Sequence, residues 1–157
     1  MEEHKGTVFA SLFLIANRLQ VLGDRLDKHV TVKQWLLIAI LFRSMPARLA
    51  VKDIARIVGA THQNVMQMAR SLEGKGFLEI STDADDRRMK RIGLTQQCLE
   101  YFRTREDKET TFLNDLFNGF NGAELEQFHL FIERLMLNIS AMEERSSGDG
   151  VERESGR

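Results

Sequence analysis

Residues 48–95, RLAVKDIARIVGATHQNVMQMARSLEGKGFLEISTDADDRRMKRIGLT, decide the fold of this chain. Their first part predicts a short amphipathic helix, because its apolar residues recur at helical spacing: Val51, Ile54, Ala55 and Val58. Gly59 is suited to the left-handed conformation that ends a helix, and Thr61 is suited to cap the start of the next one. Two helices joined by so tight a turn predict a helix-turn-helix.

The second helix, predicted over His62–Lys75, has one apolar face and one polar face. The apolar face is formed by Val65, Met68, Ala69 and Leu72. The remaining positions carry few acids and several amides. Because Asn and Gln side chains can pair with adenine edges and Arg can reach guanine or phosphate, this face is chemically equipped for a DNA major groove.

A β-hairpin is predicted to follow the two helices. Phe77, Leu78 and Ile80 indicate one strand, and Ile92 and Leu94 alternate in a second. The polar loop between them, Ser81–Arg88, leads into a basic cluster of Arg87, Arg88, Lys90 and Arg91. Such a wing suits a minor groove or a phosphate backbone, whereas the alternative interpretation is a solvated charged turn.

Several of these motifs together resemble the winged helix of MarR-type transcriptional regulators, named for multiple antibiotic resistance. They are Gln34-Trp35, Val51–Ala55 (VKDIA), Leu72–Leu78 (LEGKGFL), Asp86-Arg87-Arg88 and Leu94-Thr95. The resemblance covers about residues 30–100. It implies that an acidic residue of the wing, Asp86, pairs with arginine and shapes the tip, and that Arg88 enters the minor groove. It also implies release from DNA by a small, often aromatic or phenolic effector. No residue identifies such a ligand, so a regulator without one stays open.

Composition is typical of one compact globular domain, with 157 residues and 43% hydrophobic residues. No segment approaches the roughly 18 uninterrupted apolar residues of a membrane span. A signal peptide is not expected, and a single cysteine fits the reducing cytoplasm. The net charge of −1 opposes DNA binding at first, but residues 43–91 hold ten Lys/Arg against six Asp/Glu, a local +4, whereas residues 92–157 carry −6.

The two ends of the chain predict long helices with apolar seams. One runs from about residue 6 to 28 and another from 121 to 144, after a helix over 96–117. Candidate dimerisation residues on the seams are Leu12, Leu19, Leu125, Phe128, Ile132 and Leu135. The seams suit burial against the chain's own core as well as pairing of two subunits. Residues 146–157 lack apolar periodicity and predict a disordered tail after a single domain of residues 1–145.

The helix after Val30 begins at a predicted capping box, Thr31 with Gln34, and is apolar almost all round. Trp35 within it is interpreted as a core residue, with a ligand-pocket wall as the alternative. Cys98 lies near a helix start, so a redox sensor is conceivable, but without a second cysteine packing is the favoured role. Metal-binding and catalytic motifs are missing, which predicts no metal, no cofactor and no enzyme.

The expected fold is therefore mainly α with a small β-hairpin wing: a winged helix-turn-helix over about residues 31–95 and a dimerisation layer from helices at about 6–28 and 96–144. The expected function is a homodimeric regulator that binds a pseudo-palindromic double-stranded DNA operator. Candidate DNA-binding residues are Thr61, His62, Gln63, Asn64, Gln67, Arg70, Arg87, Arg88 and Lys90. The alternative is a winged-helix protein-interaction module that does not bind DNA.

Overall fold

The computed structural model describes the backbone of residues 2–154 and the side chains of residues 3–146. The elements are, in chain order, α1 (Glu2–Leu26), α2 (Val32–Ser44), β1 (Leu49–Ala50), α3 (Val51–Val58), α4 (His62–Gly74), β2 (Leu78–Thr82), β3 (Lys90–Leu94), α5 (Gln96–Arg103), α6 (Glu106–Leu116) and α7 (Gly122–Glu154). They form two compact units, Met1–Glu106 and Asp107–Arg157. The predicted fold class, mainly helical with a small antiparallel sheet, is confirmed.

The helix ends in the first unit lie where the capping residues predicted them. Thr31 and Gln34 form a reciprocal capping box at the start of α2. Gly59 ends α3 with φ 64°, and the Thr61 hydroxyl accepts the Asn64 amide at the start of α4. Ala50, which has no side-chain acceptor, makes no cap hydrogen bond. The helix-turn-helix is therefore specified by local chemistry.

The sheet has three antiparallel strands in the order β1-β3-β2. The predicted hairpin pairs Ile80 with Ile92 and Leu78 with Leu94. Strand β1 was not predicted, because its two residues, Leu49 and Ala50, are too few to show alternation. It leads directly into α3 and pairs with β3, so the sheet connects the wing to the helix-turn-helix.

The core of this unit lies between α2, α3, α4 and the sheet. Its fully buried side chains include Leu37, Leu41, Val51, Ile54, Val65, Leu72, Leu78, Ile92 and Cys98. The predicted apolar faces of α3 and α4 are therefore confirmed as core faces. The exposed face of α4 is fixed as a consequence, because the opposite side of the same helix is buried.

Trp35 is not a core residue of the single chain, which corrects the sequence interpretation. Its side chain is 44% exposed, while the neighbouring Gln34 is 8% exposed. The amide of Gln34 points inward and donates to Ser71 Oγ at 3.1 Å. Since successive residues turn by about 100° around a helix, burial of Gln34 directs Trp35 outward.

The helix predicted over residues 96–117 is broken into α5 and α6. The Thr104 hydroxyl donates to Tyr101 O at 2.7 Å, and the Arg105 side chain turns back to the carboxylate of Asp27. These contacts end α5 at Arg103 and separate it from α6. Arg105 finds its partner 78 residues away, so the break had no local signal in the sequence.

Helix α1 begins earlier than predicted, at Glu2, and most of its apolar side chains are exposed in the single chain. They include Val8, Phe9, Leu12, Phe13, Leu14, Ile15, Val21 and Leu22, whereas Leu19 is half-buried. Residues Glu3–Leu26 also meet the length and composition of a membrane-crossing helix, although Asn17 and Arg18 interrupt the apolar run. Core helices of soluble proteins pass the same test.

The second unit consists of α6 and α7. Asn121 and Glu124 cap α7 reciprocally, at 2.8 and 3.0 Å, as predicted. Phe128 and Leu135 of its seam are exposed, and Leu125 and Ile132 are half-buried. The helix continues to Glu154, beyond the predicted end at residue 144, because no proline interrupts propagation of its hydrogen bonds. The tail expected over 146–157 is thus helical as far as Glu154, and residues 155–157 lie outside the described chain.

Candidate nucleic-acid interface

The outer face of α4 presents a continuous polar surface. The sequence-predicted residues of this region, Thr61, His62, Gln63, Asn64, Gln67 and Arg70, are all exposed. Val65, Ala69 and Leu72 of the same helix face the core. We call this polar surface the reading face; it meets the steric requirement for an element that enters a major groove.

Four side-chain hydrogen bonds hold α4, and only the Thr61 cap among them uses a residue of the reading face. Thr61 caps its first turn, and Ser71 accepts from the buried Gln34 at 3.1 Å. Glu73 Oε1 accepts the Ile80 amide of β2 at 3.0 Å. Lys75 Nζ donates to His29 O at 2.6 Å. The reading face is therefore mounted on a helix fixed at both ends and along its inner side.

The wing tip is organised around Asp83. Its carboxylate accepts the backbone amides of Asp85 and Asp86 at 2.9 and 3.0 Å and forms an ion pair with Arg91 of β3. Asp86 instead accepts the backbone amide of Arg88 at 2.9 Å. The acid–arginine pair that the resemblance implied for Asp86 is therefore formed by Asp83. An aspartate that binds amides two and three residues ahead is a common turn device, which is the signal the sequence offered for Asp83.

A second arginine braces the sheet below the tip. Arg48 crosses from β1 and pairs with Glu79 of β2, and its other terminal nitrogen donates to Ser81 Oγ at 3.2 Å. Arg91 Nη1 donates to Arg48 O at 3.1 Å, which links this brace to Asp83. A Cβ at Gly93 would lie 3.0 Å from Arg48 Cγ, so glycine leaves room for the crossing side chain. Neither Arg48 nor Glu79 was predicted from the sequence to have a role in the wing.

The contacts within the wing occupy acidic side chains and leave basic side chains exposed. Asp83, Asp86 and Glu79 are occupied by the hairpin's own amides and arginines. Arg87 and Arg88 are exposed beside the tip, and neither forms an ion pair within the described residues. Lys90 is exposed as well, with Nζ donating to Thr82 Oγ1 at 2.8 Å. The tip therefore offers two free guanidinium groups to a phosphate backbone or a narrow groove.

The hydrogen bond from Arg91, together with the two backbone amides, lowers the pKa of Asp83 from 3.8 to about 2. Because the folded-state pKa is depressed, the stabilisation of the wing by this carboxylate is complete above pH 4 and is lost as the pH falls toward 2. We expect NMR titration of the Asp83 carboxyl to give a midpoint near 2, with the amides of residues 85 and 86 shifting in parallel. A midpoint near 4 contradicts the Asp83–Arg91 pair. The Asp83→Asn variant is the control, because it lacks the carboxyl group whose titration is measured.

Cys98 is fully buried in the core at the start of α5. Burial raises the pKa of its thiol from 9.0 to about 11. Since the thiolate is the reactive form, the thiol stays protonated and inert at neutral pH. Of the two sequence interpretations the structure favours packing over a redox sensor.

The winged-helix region matches a known protein family. Residues 30–90 match the model of the MarR family. Over 106 residues the chain is 24% identical to the HTH-type transcriptional regulator PapX of Escherichia coli, a match that spans 68% of this chain and only 65% of that relative's length.

Solved structures show the same fold. A MarR/EmrR family transcriptional regulator from Acinetobacter sp. ADP1 superposes with a TM-score of 0.72 at 21% identity, covering 87% of this chain and 97% of that one. MepR of S. aureus, in a complex with DNA, superposes with a TM-score of 0.70 at 22% identity, covering 83% and 97%. Residues 30–90 of this chain therefore have a winged helix-turn-helix fold and match the model of the MarR family.

Proposed function

We propose that this chain is a homodimeric, sequence-specific DNA-binding transcriptional regulator. The observation that carries the proposal is that the reading face of α4 and the free guanidinium groups of Arg87 and Arg88 belong to one rigid, braced unit. A helix of this kind enters a major groove while a basic wing follows the neighbouring minor groove or phosphates.

Within this arrangement the residues have separate tasks. Gln63, Asn64 and Gln67 are the base readers, since their amides can pair bidentately with adenine edges. The contacts that set register on the phosphates are Thr61, Arg70 and Lys90, with His62 suited to either task. The resemblance to MarR-type regulators implies that many of them carry Arg or Lys at the position of Gln67. The operator sequence of this chain should therefore not be copied from theirs.

Exposed apolar surface supports the homodimer. In the single chain α1 exposes Phe9, Phe13 and Leu14, and α7 exposes Phe131 and Leu137, the last of them 71% exposed. Exposed apolar area costs roughly 25 cal/mol per Å², and a second copy is the occupant that removes it symmetrically. A two-fold dimer predicts half-sites about one helical turn apart, near 34–36 Å.

Selection of bound fragments from random double-stranded DNA tests the proposal. The protein should enrich one pseudo-palindromic sequence, and analytical ultracentrifugation should show two chains bound per duplex. A winged-helix protein-interaction module is the competing function. If no sequence is enriched and the protein retains no DNA at any salt concentration, the DNA-binding proposal is rejected and the protein-interaction module is supported.

Replacing Arg88 by alanine is expected to weaken operator binding without changing the fold. Each lost contact costs roughly 1–3 kcal/mol and the dimer carries two, so affinity should fall at least about tenfold and the salt slope should become shallower. Fluorescence anisotropy measures both quantities. Arg103→Ala removes an equal charge from an exposed position of α5 and serves as the matched control. Equal affinities of Arg88→Ala and parent remove the wing from the mechanism.

We also propose that a small aromatic effector releases the protein from DNA, which rests on the resemblance to MarR regulators. Such a ligand acts only through its difference in affinity between the DNA-competent dimer and one with misspaced helices. Thermal-shift screening of aromatic acids and phenols should find compounds that raise Tm and weaken the operator complex. A library without any stabilising compound supports a regulator independent of small molecules.

A further inference from the structure

A buried polar cluster joins the end of α1 to the end of α5; we call it the Asp27 clasp and define it as Asp27, Tyr101 and Arg105. The Tyr101 hydroxyl donates to the Asp27 carboxylate, with 3.0 and 2.9 Å to its two oxygens. Arg105 Nη1 donates to Asp27 Oδ2, and the His29 amide donates to Oδ1 at 2.7 Å. The ionic side chains are only 7% (Asp27) and 11% (Arg105) exposed.

The contacts of the clasp also fix the orientation of its side chains. The Arg105 guanidinium carbon lies 5.4 Å from the ring centroids of both Tyr101 and Phe102. The Tyr101 ring packs on Phe77 of the winged helix with 4.7 Å between centroids. Because buried charges are stable only with well-placed partners, any rotation of α1 relative to α5 breaks several of these bonds together.

The segment that carries the clasp also reaches α4, the recognition helix of the proposed function. His29 O, two residues after Asp27, accepts from Lys75 at the end of α4. Asp24 Oδ1, three residues before Asp27, accepts the Val32 amide at 2.7 Å and so joins α1 to α2. The C-terminal end of α1 is thus tied to α2, α4 and α5, and none of these bonds uses the reading face or the wing tip.

Helix α1 is a long lever with this tied end as its pivot. Its 25 residues extend about 37 Å at 1.5 Å per residue. A change of roughly 10° at the pivot moves the far end by about 6 Å, which is close to the axial length of two base pairs in a site where one turn of 10–10.5 base pairs spans about 34–36 Å.

We propose that Asp27 is a positioning residue for DNA binding: it fixes the direction in which α1 leaves the winged helix and thereby the separation of the two recognition helices in the dimer. This inference rests on the proposed homodimeric regulator. The clasp touches no DNA. Its contribution is that both reading faces meet their half-sites at the same time.

Simultaneous engagement of two half-sites gains about 10²–10⁴ in affinity and is lost when geometry forbids it. The wild-type protein should therefore bind operators with one or two base pairs added between the half-sites on the order of 10²-fold more weakly than the selected operator. A protein without the clasp should discriminate less, since its reading faces are no longer held at one separation. The selectivity for spacing, rather than affinity alone, is the signature of a positioning role.

Three variants test this. Asp27→Asn removes the charge that pairs with Arg105. The double variant Asp27→Leu/Arg105→Met replaces the ion pair by apolar side chains, which proteins often tolerate, so it covers the case in which Asp27→Asn does not fold. Asp27→Glu retains the carboxylate and measures rescue. Ile38→Val, a small truncation of a buried core side chain, is the control for lost stability. Dimerisation and Tm are measured for each alongside anisotropy on the spacing series.

For the double variant we expect a folded dimer, weaker binding to the selected operator, and a spacing penalty reduced to less than about tenfold, because avidity no longer depends on one fixed separation. The Asp27→Glu variant should recover part of the wild-type spacing penalty, and the Ile38→Val variant should retain all of it. A double variant with the wild-type spacing penalty overturns the inference. Failure of the wild-type protein to bind any DNA overturns the proposed function instead, so the two failures are distinguishable.

Discussion

Raising the salt concentration from 50 to 200 mM is expected to lower operator affinity by about 10³–10⁵ if the dimer neutralises about 6–10 phosphates. The reason is release of counterions condensed on the duplex, which is favourable only while bulk salt is dilute. Each subunit contributes Arg70, Arg87, Arg88 and Lys90 on exposed positions. Of the wing acids, Asp83 pairs with Arg91 and Asp86 accepts a backbone amide. The four cations of each subunit, counted twice in the dimer, therefore fall within the range of about 6–10 phosphates.

Anisotropy titrations at five or more salt concentrations measure the effect as the slope of log K against log salt, which is about −0.9 per phosphate neutralised. Arg103→Ala should leave that slope unchanged, because Arg103 lies outside the reading face and the wing. A slope near zero contradicts phosphate contact by this surface and points to the protein-interaction alternative. The net charge of −1 is no obstacle, because the field near the duplex is set by local charge.

Truncating Leu72 to alanine should produce the largest loss of stability, about 2–5 kcal/mol in the free energy of unfolding. Leu72 is fully buried on the inner side of α4, and its carbonyl accepts the amides of Lys75 and Phe77 where the helix turns into β2. A cavity there loosens the helix that carries the reading face. DNA binding should consequently disappear over a lower temperature range than in the parent.

Urea denaturation followed by circular dichroism gives the free energy of unfolding for this variant. Ile57→Ala removes a similar aliphatic side chain from an exposed position of α3 and should change it by less than about 0.5 kcal/mol. A Leu72→Ala protein as stable as the control would mean that the core between α2, α4 and the sheet does not support the fold.

Local chemistry in the sequence was sufficient for the elements of the winged helix. Thr31 with Gln34, Thr61 and Gly59 specify helix ends through contacts with residues no more than five positions away. Alternating and helical periodicity then assign core and surface, which is why every predicted DNA-binding residue is found exposed. Short-range hydrogen bonds and burial patterns are legible in one chain because both partners lie in the same few residues.

The tertiary structure alone decided which distant residues meet. Asp83 rather than Asp86 pairs with an arginine, Trp35 faces outward because Gln34 is drawn to Ser71, and α5 ends where Arg105 turns back to Asp27 across 78 residues. Asp83 and Arg91 are only eight positions apart and meet through the register of the hairpin. The Gln34–Ser71 and Asp27–Arg105 pairings have no periodic or motif signal, since side chains separated by tens of residues become neighbours only after the core has packed. The sequence by itself determined the reading face, and the packed chain determined how that face is held.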